Sequence, residues 1–526
     1  SGNTDAKATA NGSAVAASTG SGDPTADTIG AGVAINLAFP TTKATLGSGS
    51  LTAHNLTLSA GMTNVSGDTK NVYDAEATSG AGGGKNSIAG SVALNLVLSN
   101  SEASIAGAAS LTLTGTAVLT ATSSSDSTAK ALPATGGASG GAFGLGLSIA
   151  VNIVVDTTRA TVNDGVSITG ATGLSLTANG GHTMTTHAEN GAKATASGST
   201  AVTPVIAVAV SLVSSKATIG TGATLTVGAG GISAIATQRA TASTSASGQT
   251  TGTDTAVGVS IAVTVAIHDV EATSQRSLST TGAITFEAFG SSNTDATAKA
   301  SAEGTKPKSD SSRQTGTGSG PGGEQTVNDD IGNQRGFADS EGTDNLGSGN
   351  DSSSAGSTPS ASTSDGKIDV AAAIGVNIAL TTSKAGMVRP AAMTTPMSIT
   401  ATGALTIKSS ANTDSKATAD GSAVDKSDSS SATVVGAGVA ITYTKITNQA
   451  TTDVASINAG GVDLEATMTN VAGDTTHTLD VEAKSGAGSK DTGIAGSVAI
   501  NIENDHTEAW IPAGSTVNAG TGNVAL

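Results

Sequence analysis

The sequence predicts an all-β fold, an elongated parallel β-solenoid built from about eight units, each of roughly 58 residues. Two kinds of repetition predict it. A small-plus-aliphatic run recurs along the chain, as in Gly32–Leu37 (GVAINL), Ser91–Leu96 (SVALNL), Ser148–Ile153 (SIAVNI) and Ser497–Ile502 (SVAINI). With Asn36, Asn95, Asn152, Ser211, Thr264, Asn377, Thr442 and Asn501 as markers, the numbering advances in steps of 59, 57, 59, 53, 113, 65 and 59. Such periods mark arrays in which one unit cannot bury its own apolar face and neighbours stack to form a continuous core. On a longer scale, Lys7–Val15 (KATANGSAV) returns as Lys416–Val424 (KATADGSAV), Asn64–Thr69 (NVSGDT) as Asn470–Thr475 (NVAGDT), and Ile88–Leu96 (IAGSVALNL) as Ile494–Ile502 (IAGSVAINI). The last two pairs share one offset along the chain, as tandem duplication in a very long protein would leave them.

Within a unit, the aliphatic run reads as a buried strand. A polar turn follows, then a short segment such as Lys43–Gly47 or Lys216–Gly220, and then a Thr-rich alternating stretch such as Leu56–Ala60, Leu174–Ala178 or Leu405–Lys408. Period-two alternation with β-branched residues is the sign of a strand with one buried face, here Leu56, Leu58, Ala60 and Met62. An Ala-alternating segment such as Asp74–Thr78 closes the unit, with Ala in and charge out. Gly, Ser and Thr dominate and no stretch holds apolar spacing of three and four, so helix is excluded. Four strands per unit is the expected parse. With two rungs per unit spaced about 4.8 Å, eight units make a rod of roughly 75 Å. A string of small β-sandwiches is the alternative, but Asn-Gly and Asp-Gly hairpin signals are too sparse for a hairpin in every unit. Five Phe, two Tyr and one Trp leave the interior to Ala, Val, Ile and Leu.

Insertions enter between the Ala-alternating segment and the next aliphatic run, which puts them on one side of a stacked array. The longest, Glu303–Lys367, is Gly, Ser, Asp and Thr with little aliphatic content, the composition of a disordered loop. The expected organisation is solenoid repeats over 1–302, this insertion over 303–367, and repeats of the same body over 368–526.

A net charge of −17 repels nucleic acid and anionic membrane and disfavours both as partners. There is no cysteine, so disulfides contribute nothing to stability. The chain opens on Ser-Gly-Asn-Thr without Met or a signal peptide, as a processed or excised piece would. The longest apolar region, Gly140–Val155, is too short and too Gly-rich for membrane insertion and reads as a buried strand.

The IAGSVALNL and IAGSVAINI runs, with the polar turns Ser99–Ala103 and Asn504–Ala509 after them, resemble the repeats of giant bacterial surface proteins: filamentous adhesins and related haemagglutinin-like or leukotoxin-type repeat proteins. The resemblance covers most of the chain outside Glu303–Lys367. It implies a structural, extracellular or cell-surface β-rich stalk acting in adhesion, cell contact or matrix building, and carries no catalytic motif.

Few residues suggest chemistry. His182 and His187, five apart on a strand, point to opposite faces and cannot share a metal without a bend. Asp68 and Asp474 occupy matching places in NVSGDT and NVAGDT, and Asp329 and Asp330 sit beside Asn328 in the long insertion; oxygen-rich turns of this kind are candidate Ca²⁺ ligands. Solvated turn residues are the plainer reading. Polysaccharide-acting β-helix enzymes need clustered carboxylates and aromatic platforms, whereas Tyr73, Tyr443 and Trp510 are scattered. The leading reading is therefore a non-catalytic adhesin stalk binding a cell-surface or matrix ligand, and the alternative a filament subunit that associates end to end.

Overall fold

A computed structural model describes residues 1–16, 25–304, 368–424, 432–489 and 491–526. It is a parallel β-solenoid: every pairing between named strands is parallel, and no helix occurs among the described residues. One turn of the coil is made by β10 (Gly173–Ala194), β11 (Thr200–Ile219) and the short β12 (Leu225–Val227), after which β13 (Gly231–Gly252) starts the next. Gly173 pairs with Gly231, so residues 173–230 make one unit and one rung.

This corrects the expected parse twice. There are three strands per unit, because the aliphatic run, the polar segment after it and the Lys-Ala-Thr segment form one continuous strand, as in β11. The Thr-rich and Ala-alternating segments likewise merge, as in β10. And with one rung per unit instead of two, eight coils rise only about 34 Å from first to last, while strands of some 20 residues span about 65 Å across the axis. The coil is a broad, flat wedge.

Two long walls face each other. The first holds β1 (Ala6–Val15), β5 (Leu56–Ala60), the first part of β6 (Asn71–Ile105) and of β8 (Thr116–Val162), β10, β13, β16 (Ile284–Gly304), β19 (Leu405–Val424), β22 (Val462–Met468) and β23 (Leu479–Gly488). The second holds β2 (Asp27–Ala38), β3 (Thr41–Leu46), the later parts of β6 and β8, β11, β14 (Thr255–Ser274), β17 (Ile368–Met387), β20 (Thr433–Thr452) and β24 (Thr492–Trp510). The third side is narrow and divided. One three-stranded sheet joins β4 (Ser50–Ala53), β7 (Ser110–Leu113) and β9 (Ser167–Thr169). A five-stranded sheet joins β12, β15 (Leu278–Thr280), β18 (Ser398–Ala401), β21 (Ser456–Asn458) and β25 (Thr516–Asn518). The short β26 (Val524–Ala525) pairs with β22 and begins a further rung of the first wall.

Register is kept by columns of identical small residues. Ala10, Ala77, Ala131, Ala188, Ala246, Ala298, Ala419 and Ala483 stack through all eight coils of the first wall. Ala44, Ala103, Ala160, Ala217, Ala272, Ala385, Ala450 and Ala509 do so in the second. Asn36, Asn95 and Asn152 form an amide ladder, Asn36 Nδ2 donating to Asn95 Oδ1 at 2.9 Å and Asn95 Nδ2 to Asn152 Oδ1 at 3.2 Å. Ala209 occupies the next place, two residues before the marker Ser211, so the sequence alignment slips in this one coil.

The walls lie so close at the thin edge that only small groups fit. A Cβ on Gly375 would lie 2.5 Å from the carbonyl oxygen of Thr418 on the opposite wall, and one on Gly146 2.3 Å from that of Gly191. The interior there is Ala and small polar residues. Leu, Ile and Val fill the wide edge beside the third side, around Leu111, Leu119, Leu176 and Phe286. The aliphatic runs are consequently oriented against expectation. In β11, Val205, Ala207 and Ala209 point inward, while Val202, Ile206, Val208 and Val210 face outward. The same holds for Gly140–Ile153, where Gly144, Gly146, Ser148, Ala150 and Asn152 point inward and Leu145, Leu147, Ile149, Val151 and Ile153 outward, before Val154 turns into the core.

The described connections between first and second walls lie along the thin edge, as at residues 195–199 between β10 and β11 and Thr253–Asp254 between β13 and β14, where Asp254 N donates to Ser199 O. Gly83, Gly136 and Gly137 have positive φ and reverse the chain there in the second and third coils. Glu303 and Gly304 still belong to β16, and the rest of the long insertion, 305–367, lies outside the described residues.

Candidate functional site

Asp156, His182 and His268 are buried in a polar seam between the Ala-packed and Leu-packed parts of the core. Asp156, from the second wall, accepts hydrogen bonds from Ser123 Oγ at 3.0 Å and Ser125 Oγ at 2.9 Å on the first. Ser125 Oγ lies 2.8 Å from His182 Nδ1, and Ser127 Oγ 3.3 Å from His182 Nε2. One coil on, His268 is held between Ser211 Oγ at 3.0 Å and Ser292 Oγ at 2.7 Å. Burial lowers His182 to about 4 and His268 to about 3, and raises the Asp156 carboxyl above its usual range despite the serine hydroxyls.

Asp, Ser and His together invite comparison with a hydrolytic triad. Their order differs: a nucleophilic serine needs the histidine between itself and the carboxylate, whereas here Ser125 sits between Asp156 and His182. Both His182 and Asp156 are almost fully enclosed, so no substrate carbonyl reaches Ser125. The geometry satisfies buried polar groups across the walls. No sequence pattern marks it, because its members come from separate strands of both walls.

The expected metal candidates are placed apart. Asp68 and Asp474 close equivalent tight turns in the second and eighth coils, each bridged to the residue three before it, Val65 and Val471. Ser66 and Gly67, and Ala472 and Gly473, have positive φ at the two central positions, as a type I′ turn requires. Asn64 and Asn470 accept from Gly67 N and Gly473 N. Asp68 accepts from Lys70 N at 2.9 Å, and Asp474 from the hydroxyl and N–H of Thr476 at 2.7 and 2.9 Å. These bonds lower both carboxyls: for Asp68 chiefly the Lys70 N–H, then Asn3; for Asp474 first the Thr476 hydroxyl, then its N–H. The repeated NV-x-GDT motif thus builds a hairpin turn. Asp329 and Asp330 lie outside the described residues. Among the described residues no group of three or more His, Asp or Glu is arranged to hold a metal ion. His182 and His187 do point to opposite faces, His187 lying outside beside Ser245 at 2.6 Å and Glu189 at 3.3 Å.

Sequence reasoning missed Arg276. Its side chain is fully buried at the corner of the third side, donating from Nη1 to the Val166 carbonyl at 2.7 Å, from Nη2 to that of Asn163 at 3.1 Å and from Nε to that of Gly220, so it ties three coils. It stands where the third side divides between β9 and β12, beside a cleft of about 380 Å³ lined by both strands. Neither family models nor characterised proteins nor solved structures give a match to this chain.

Proposed function

We propose that the chain is a structural, non-catalytic stalk segment of a large secreted or cell-surface bacterial adhesin, supplying reach and contact surface. The observation that carries this reading is the longer repeat as it falls on the coil. The KATANGSAV segment of the first coil returns in the seventh, and the turn and IAGSVALNL run of the second return in the eighth, a period of six coils within one continuous core. A scaffold that lengthens by duplicating blocks of coils needs no residue gathered at one place, and the parallel ladder supplies stiffness across each block. The cysteine-free, acidic composition and the resemblance of the repeats to filamentous adhesins support the same reading. The connections between the two walls along the thin edge are the natural place for a cell-surface or matrix ligand to be met. Immunolabelling of intact cells with antibodies to this segment tests the location: labelling before permeabilisation is expected, and labelling only after permeabilisation would contradict it.

A further inference from the structure

The second wall presents an outward surface of large aliphatic side chains in register. Val92, Ile149, Ile206, Ile261, Ile374 and Val439 form one column along the coil axis. It extends to Val33 and Val498 in the end coils. The columns through Val202, Val208 and Val210 are built the same way, and among the four Tyr443 is the one residue that is not Ile, Leu or Val. None of these outward side chains belongs to a core cluster. Neighbours in the adjoining coils cover their flanks and leave their tips open; in the end coils Ile35 is 53% and Ile502 47% exposed. The first wall, by contrast, shows Ser, Thr, Asn and charged residues outside, as at Thr183, Thr241 and Asn293.

We infer that this aliphatic face is an isologous interface that pairs two copies of the chain wall to wall. At about 34 Å by about 30 Å it offers roughly 1,000 Å² per copy, above the ~800 Å² per partner of a stable interface and well beyond the apolar patch a monomer usually exposes. A second copy carries the same row and column spacings, so the side chains of two such faces interdigitate as the inner faces of packed sheets do. The four columns contain no Lys or Arg to attract anionic lipid. Beyond them lie the column through Leu212, which ends in Lys445 and Asn504, a polar column through Ser214, and then a border column of both signs, Lys43, Glu102, Arg159, Lys216, Glu271 and Lys384, with Lys43 and Glu102 3.4 Å apart and Lys216 and Glu271 3.1 Å apart. Such a border is compatible with an identical partner and selects no particular lipid charge. Residues 305–367 hold Val327, Ile331, Phe337 and Leu346 as their only large apolar side chains, too few to cover the face. The inference is independent of where the protein resides.

Sedimentation velocity of the full chain tests it. The expected species has twice the 50.0 kDa chain mass at micromolar concentration. Val151→Glu with Val263→Glu is expected to weaken association at least a hundredfold, and Thr183→Glu with Asn293→Glu on the opposite wall to leave it unchanged. A second readout does not depend on the charged variants folding: a bimane label on Val208→Cys should shift to the blue as concentration rises, while one on Thr183→Cys should not. A concentration-independent monomer, or a monomer that floats with phosphatidylcholine vesicles, overturns the inference.

Discussion

His182 and His268 are neutral imidazoles enclosed by serine hydroxyls, and their enclosure sets how the protein responds to acid. Both have folded-state values below the ordinary 6.5, at about 4 and about 3, so between these values and 6.5 the unfolded chain binds protons that the folded chain does not. Stability is therefore full above pH 6.5 and falls as pH drops through that window, by about 1.4 kcal/mol per pH unit for each histidine. Asp156 and Asp295 act in the opposite sense. Burial raises their carboxyls, so they take up protons first in the folded state and offset part of the loss at the acid end. Thermal melts at pH 7 and pH 5 should show lower stability at pH 5, and His182→Gln with His268→Gln should flatten the difference. An unchanged pH dependence in the double variant would refute the assignment. Nothing in the sequence around His182 announced this seam. Ser123, Ser125 and Ser127 carry no hydropathy signal, and only the approach of the opposite wall makes Ser123 and Ser125 partners for Asp156.

At the level of strands, the alternation of Leu56–Ala60 and the alanines of Asp74–Thr78 were legible because apolar and polar residues alternate there. The orientation of the aliphatic runs was not. In GVAINL and IAVAVSL the large aliphatic residues hold one parity and Gly, Ala, Asn and Ser the other, so hydropathy alone turns the large parity inward. Space decides: the walls approach until a Cβ at Gly375 would meet a backbone carbonyl, and the small parity alone fits. Strand count went astray for a related reason. SNSEA and NDHTEA look like turns, yet the ladder runs through them because each polar residue pairs with its counterpart one coil away. The unit of construction is then the whole coil, and this can be cut. Deleting residues 173–230 removes β10, β11 and β12 and brings β13 onto β8 in the register that β10 held. Far-UV circular dichroism should show retained β-structure and a single cooperative melt. Deleting 173–201 instead puts second-wall strands where first-wall strands belong and should abolish folding. If both deletions behave alike, the coil is not the unit.

The molecule as a whole is an amphipathic wedge: a polar outer wall, an aliphatic outer wall, a closed narrow side and a thin edge carrying the connections. One continuous core and the recurrence of first-coil sequence in the seventh suit a scaffold that grows by whole blocks. The arrangement rests on a single rung per sequence unit, and because the chain has no cysteine this can be measured directly. Thr57 and Thr406 are remote in sequence and stand in one outward column of the first wall, five coils from each other. Spin labels on Thr57→Cys and Thr406→Cys should give a narrow dipolar distance distribution centred at about 24 Å, broadened only by the label arms. A distance of about 48 Å would mean two rungs per unit, a broad distribution would mean separate domains on flexible tethers, and either contradicts the fold described here.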